Sequence, residues 1–171
     1  MWALSSERLE RREEAIEYYN KTLEISKKID NYRYYYLHSI NNLAYTYEGQ
    51  GELQSALKIY NEIAEEPKLL EIDPELYVIA IGNVARVKFM LDKNNASESK
   101  KMLFNVLHIA ETNGDDYNKM GVYGFLADIY DKTNQKDSAL YFSKKLLEYS
   151  QLTSSNTERL QALTLLGKLE L

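Results

Sequence analysis

The chain has 171 residues, a formal charge of −5, two prolines, seven glycines and no cysteine. That length suits one ordinary domain, and so little proline and glycine with 27% charged residues excludes disorder, collagen-like repeats and turn-rich β-sandwiches. Without cysteine there is no disulfide, thiolate metal site or cysteine nucleophile, and the negative charge argues against a broad cationic face for nucleic acid or an anionic membrane. No apolar run approaches the roughly 18–20 residues of a membrane span, and the first residues carry no signal-peptide apolar region.

Apolar spacing and turn residues predict helices over 2–9, 12–29, 32–49, 52–66, 74–92, 96–113, 116–133, 136–151 and 156–170. Tyr34, Tyr35 and Tyr36 suit a strand by propensity. However, Tyr32, Tyr36, Ile40, Leu43 and Tyr47 recur at helical spacing and form one apolar stripe. Pro67 closes a helix, and the apolar link Lys68–Ile72 reads as a short helical turn covering the core. Asp73 then caps a helix with Pro74 at its first position. Asn113 and Gly114 stop the next, since both tolerate a left-handed conformation, and Asp115 and Asp116 open the one after. Ser155 and Glu158 have capping-box spacing, as Asn95 and Glu98 do less cleanly.

A phrase recurs along these helices. Its clearest copy runs from Asn42 to Tyr60 (Leu43-Ala44, Tyr47, Gly51, Ala56, Tyr60), and a second from Leu126 to Phe142 (Leu126-Ala127, Tyr130, Asn134, Ala139). A half-copy spans Glu13–Tyr19, a degraded one Val87–Phe104, and Leu163–Gly167 repeats its beginning. Aligning the turns on Glu10, Gly51, Asn95 and Asn134 gives spacings of 41, 44 and 39 residues. One helical hairpin of that length cannot bury its apolar face alone, so stacked hairpins sharing a core are expected.

These residues resemble the tetratricopeptide repeat (TPR) family, whose pattern places Leu-Gly/Ala and Tyr on the first helix, Gly at the turn, and Ala and an aromatic on the second. The resemblance implies an all-α, α-α superhelix: a TPR-like solenoid of about four hairpins (about 1–29, 32–66, 74–113 and 116–151) with a terminal helix at 156–170. The repeat between 74 and 113 departs most, with Lys88 and Lys100 where small residues are expected. Leu160, Leu163, Leu165, Leu166, Leu169 and Leu171 make the terminal helix apolar. It calls for a neighbour in a longer array, or caps the array with that face turned inward.

No constellation for chemistry is present, so no catalytic residue, cofactor or metal site is expected. His38 and His108 lack metal-ligand spacing. Gly121 and Gly124 lie inside a helix and form no phosphate loop. The acidic pairs Glu13-Glu14, Glu65-Glu66 and Asp115-Asp116 sit on solvated faces or helix starts.

What the resemblance implies is a binding surface on the concave face, lined by the first helix of each hairpin. Its candidate residues are Tyr34, His38, Asn41, Tyr45 and Glu48, then Gly82, Ala85, Phe89 and Asp92, then Gly121, Gly124, Asp128, Asp131 and Lys132. Gln161, Thr164 and Lys168 follow on the terminal helix. On this reading Tyr45 and Phe89 form an aromatic floor and the glycines leave room for a ligand. Asn41 holds a peptide backbone, and Asp128 and Asp131 favour a basic partner residue. The cations that grip a chaperone's C-terminal carboxylate are missing from the matching positions. The expected function is a non-catalytic protein- or peptide-binding scaffold, with no nucleic-acid or membrane contact by this segment. The alternative is the ligand-sensing half of a larger bacterial signal-transduction or transcription regulator. Self-association through 156–170 is a third expectation.

Overall fold

The computed structural model describes residues 13–14, 16–21, 24–25 and 32–170, all of its regular structure being helical. The expected helix over 2–9 lies outside the described residues, and those described between 13 and 25 are helical, in keeping with 12–29. The chain divides into two compact units, Met1–Pro67 and Lys68–Leu171.

In the first unit, α1 (Tyr32–Gly49) and α2 (Leu53–Ala64) form a hairpin. Gly51 makes its turn at φ +82°, a conformation that costs a residue with a Cβ about 1–2 kcal/mol. The three consecutive tyrosines are helical: Leu37, Ile40, Leu43 and Ala44 are buried, and Tyr34 and Tyr35 are exposed. Ala56, Tyr60 and Ile63 are the buried residues of α2. Polar ties join the hairpin, from the Arg33 guanidinium to Glu66 and from the Tyr36 hydroxyl to Glu62 Oε1 at 2.7 Å.

The second unit opens with the short α3 (Leu69–Ile72), whose Leu69 is buried against α4 (Pro74–Leu91). Asp73 caps α4 by accepting from Leu76 N–H at 2.9 Å, with Pro74 at the first helical position. A 3₁₀ turn, Lys93–Asn95, leads to α5 (Ala96–Thr112). Then come α6 (Asp116–Lys132), α7 (Lys136–Leu152) and α8 (Asn156–Leu169). Asp115 caps α6 by accepting from Asn118 N–H at 2.9 Å. Helices α4, α6 and α8 lie side by side as one layer, and α5 and α7 pack behind them as a second.

The degraded repeat resolves once these helices are placed. Ala44, Ala85 and Ala127 are equivalent fully buried small residues on the first helices, and Ala56, Ser99 and Ala139 are their counterparts on the second. Ser99, rather than Lys100, fills the small position in the third hairpin, and its hydroxyl donates to the Ala85 carbonyl at 2.7 Å. Lys88 occupies the tyrosine position and pairs with Glu98 at 2.8 Å. Asn95 is not a left-handed turn residue: its φ is −74°, and the turn is made instead by extended Asp92 and the 3₁₀ segment. Asn134 does turn at φ +57° and Gly114 at +68°.

Capping differs in detail from the expected boxes. The Ser155 hydroxyl meets the Glu158 carboxylate without capping a backbone N–H. Asn95 donates instead to the Lys88 carbonyl, which leaves Glu98 for Lys88.

Candidate functional site

In the first unit the candidate residues share one side of α1. Tyr45 is 69% exposed, Tyr34 is exposed and His38 half-buried, and the Tyr34 and His38 rings lie 4.5 Å apart. Asn41 is half-buried, and its Oδ1 is buried with no hydrogen-bond partner among the described residues. Glu48 accepts from the Tyr60 hydroxyl at 3.4 Å, so it also ties α1 to α2.

In the second unit several expected lining residues belong to the core. Phe89 is 2% exposed and packs with Ala85, Leu103, Val106 and Met120, so neither Phe89 nor Ala85 forms a floor. Gly124 is buried, and a Cβ there would stand 3.5 Å from Leu146 and 3.7 Å from Gln161. At Gly82 it would stand 3.6 Å from Phe125. A Cβ at either position would make ordinary van der Waals contact with a neighbouring helix, so both glycines face a seam between helices instead of making room for a ligand. The physical reason is rotation: one residue along a helix turns the side chain about 100°, enough to move a position from the open face into the seam between helices.

The stripe the structure leaves open on α4 is Ile79, Asn83, Arg86 and Met90, and on α6 it is Gly121, Phe125, Asp128 and Lys132. These residues are half-buried or exposed, and each on α6 lies 42 positions after its equivalent on α4. Gly121 is the open glycine, with nothing within 4 Å of a Cβ. Arg86, Phe125, Asn83 and Met90 were not among the candidates. The signal that finds them is the residue following each buried alanine: Tyr45 after Ala44, Arg86 after Ala85, Asp128 after Ala127.

Across α4 and α6 the Arg86 guanidinium stacks over the Phe125 ring at 4.9 Å, held by Asn83 Oδ1 at 3.1 Å. Such a pair is worth about 0.5–1 kcal/mol where exposed. The expected acidic patch is neutralised within the protein. Asp128 pairs with Lys132 at 2.8 Å, and Asp131, its side chain 13% exposed, pairs with Lys168 of α8 at 2.6 Å. Gln161 and Thr164 are exposed on α8, while Asp92 is exposed and caps the 3₁₀ turn by accepting from Asn94 N–H. Among the described residues no three His, Asp or Glu side chains cluster as a metal site, and no helix is long and apolar enough to cross a membrane.

Successive helical hairpins, joined by small residues in the seams and bearing an open stripe on their first helices, define an all-α helical-repeat protein of the solenoid class. The family model for the tetratricopeptide repeat matches residues 2–65, and over that stretch the chain is similar to this family. No curated protein matches it. Repeats of this family generally serve as protein-interaction scaffolds.

Proposed function

We propose that the chain is a non-catalytic scaffold that binds a peptide or protein segment along the open stripe of its first helices. One observation carries this: Ile79, Asn83, Arg86 and Met90 recur 42 residues later as Gly121, Phe125, Asp128 and Lys132, accessible and spared from the core. A stacked Arg–Phe pair beside an apolar Met and an open Gly is a surface that can take an extended peptide with mixed polar and apolar side chains. In the first unit, Tyr34, His38 and Tyr45 supply a comparable surface on α1, and the buried Asn41 Oδ1 supplies an acceptor for a backbone N–H. No described residue favours the sensor half of a regulator over this scaffold.

The test is a displayed peptide library selected on the whole chain. Enriched peptides should lose binding at least about tenfold with Arg86→Glu or Met90→Asp, about 1.4 kcal/mol. They should keep it with Phe104→Ala on the opposite layer. Enriched peptides indifferent to both stripe substitutions refute the reading.

A further inference from the structure

Oxidisable sulfur in this chain is confined to methionine, since the sequence holds four methionines and no cysteine. Met90, Met102 and Met120 fall among the described residues, and the fold grades their access. Met120 is 1% exposed in the core, its Sδ accepting from the Thr153 hydroxyl at 3.1 Å. Met102 of α5 is half-buried against the same core. Met90, in the last turn of α4, is 45% exposed and lies on the open stripe.

What sets Met90 apart from an ordinary surface methionine is the residue one turn before it. Arg86 Nη1 donates to Met90 Sδ at 3.7 Å, a weak contact because a thioether is a poor acceptor. The same guanidinium lies over the Phe125 ring and is held by Asn83 Oδ1, so Met90 is joined through Arg86 to the pair that bridges α4 and α6. Hydrogen peroxide oxidises a thioether directly. Sδ attacks one peroxide oxygen, the S–O bond forms as the O–O bond breaks, and the proton on the transferred oxygen passes to the departing hydroxide to give water. Sulfur is oxidised and the peroxide reduced, with no further reagent. The new oxygen is a much stronger acceptor than the sulfur, and the donor beside it is a cation, so the weak contact becomes a charge-assisted hydrogen bond. A flexible apolar side chain of the stripe is thereby turned into a polar one tied to Arg86.

We propose that Met90 is a reversible oxidation site, and that its sulfoxide, held by Arg86, lowers the affinity of the stripe for its peptide. The effect on affinity rests on the scaffold reading above; the site of oxidation and the part of Arg86 do not.

The full folded chain is treated with graded hydrogen peroxide and mapped by peptide mass spectrometry. Met90 should convert at least about fivefold faster than Met102, with Met120 slowest, and Met102 or Met120 keeping pace with Met90 overturns the site. Oxidation should lower the urea midpoint more in Arg86→Ala than in the parent chain, since only the parent's sulfoxide gains the hydrogen bond; equal shifts overturn the part of Arg86. A peptide selected for dependence on Arg86 and Met90 should bind the oxidised chain about tenfold more weakly and recover after treatment with methionine sulfoxide reductase. In Met90→Leu, peroxide should leave that variant's own affinity where it started. A stripe-dependent peptide that binds oxidised and reduced chains alike overturns the switch and leaves the scaffold reading standing. If no selected peptide depends on the stripe, the scaffold reading fails and the switch with it, while the peroxide map and the urea midpoints still decide the oxidation site.

Discussion

Two glycines of α6 test the packing directly, because the same change at a third glycine should have the opposite sign. At Gly121 a Cβ meets nothing within 4 Å, and at Gly124 it meets Leu146 and Gln161 at 3.5 and 3.7 Å, ordinary van der Waals contact. Both are helical, so replacing either with Ala removes a helix penalty of about 0.8–1.0 kcal/mol without a clash. An unfolding entropy of about 2.1 cal/mol/K per residue over 171 residues is about 0.36 kcal/mol/K, so each change should raise Tm by roughly 2–3 °C. The pair together should add about 5 °C if the two act independently. Gly51 is equally uncrowded but sits at φ +82°, so Gly51→Ala should cost about 1–2 kcal/mol. Thermal and urea unfolding followed by circular dichroism at 222 nm read all three. If Gly124→Ala destabilises by more than about 1 kcal/mol, the seam between α6 and α8 is tighter than described, and Gly124 is required by close approach.

Ser99→Ala should cost only about 1 kcal/mol, since Ala56 and Ala139 already stand at that position, whereas Ser99→Leu should cost 1–3 kcal/mol or more by overpacking; a neutral Ser99→Leu in urea titration would return the register of that hairpin to question. A double-mutant cycle on Arg86→Ala and Phe125→Ala should give a coupling of about 0.5–1 kcal/mol, and a coupling of zero would mean that the stacking is incidental. At alkaline pH two groups act with the same sign. The hydrogen bond to Asp116 raises the Lys119 pKa above its usual 10.5, so its contribution is complete below that value and is lost as pH rises through the raised one. Burial raises the Tyr123 hydroxyl above 10, so the unfolded chain releases that proton first and stability falls from about pH 10 upward. The urea midpoint should therefore hold through neutrality and drop above pH 10, less steeply in Tyr123→Phe; identical alkaline limbs would refute the tyrosine's part.

How far the fold was legible depended on which physical signal each segment carried. Helix limits followed from caps and apolar spacing, which act locally: Asp73-Pro74, Asn113-Gly114 and Asp115 behave as their chemistry requires, and both ends of the seven helices expected from residue 32 onward fall within a residue or two of α1, α2 and α4–α8. The third hairpin was harder because its marks are substituted rather than missing. Lys88 stands for Tyr and is neutralised by Glu98, while Ser99 stands for Ala and returns its hydroxyl to a carbonyl, so each replacement is compensated by a partner invisible in a linear pattern.

The proposed binding face was half legible for a related reason. Tyr34 and Tyr45 lie exposed on α1 with His38 half-buried between them, where spacing from the Leu43-Ala44 pair sets the rotation. On α4, anchoring to the turn at Asn95 instead of the small position at Ala85 selects Ala85 and Phe89, although Asn95 does not make a left-handed turn. Loop lengths vary between hairpins, whereas the buried alanine must remain where two helices touch, so it is the better ruler. Counted from Ala85, the next residue is Arg86, and the position 42 beyond Asn83 is Phe125, the ring on which Arg86 rests. Asp128 and Asp131 show what spacing alone cannot carry. It puts both carboxylates on one side of α6, but their electrostatic character is set by Lys132 one turn away and by Lys168 on a neighbouring helix, and a stripe of acids becomes a set of closed pairs only when α6 and α8 are packed together.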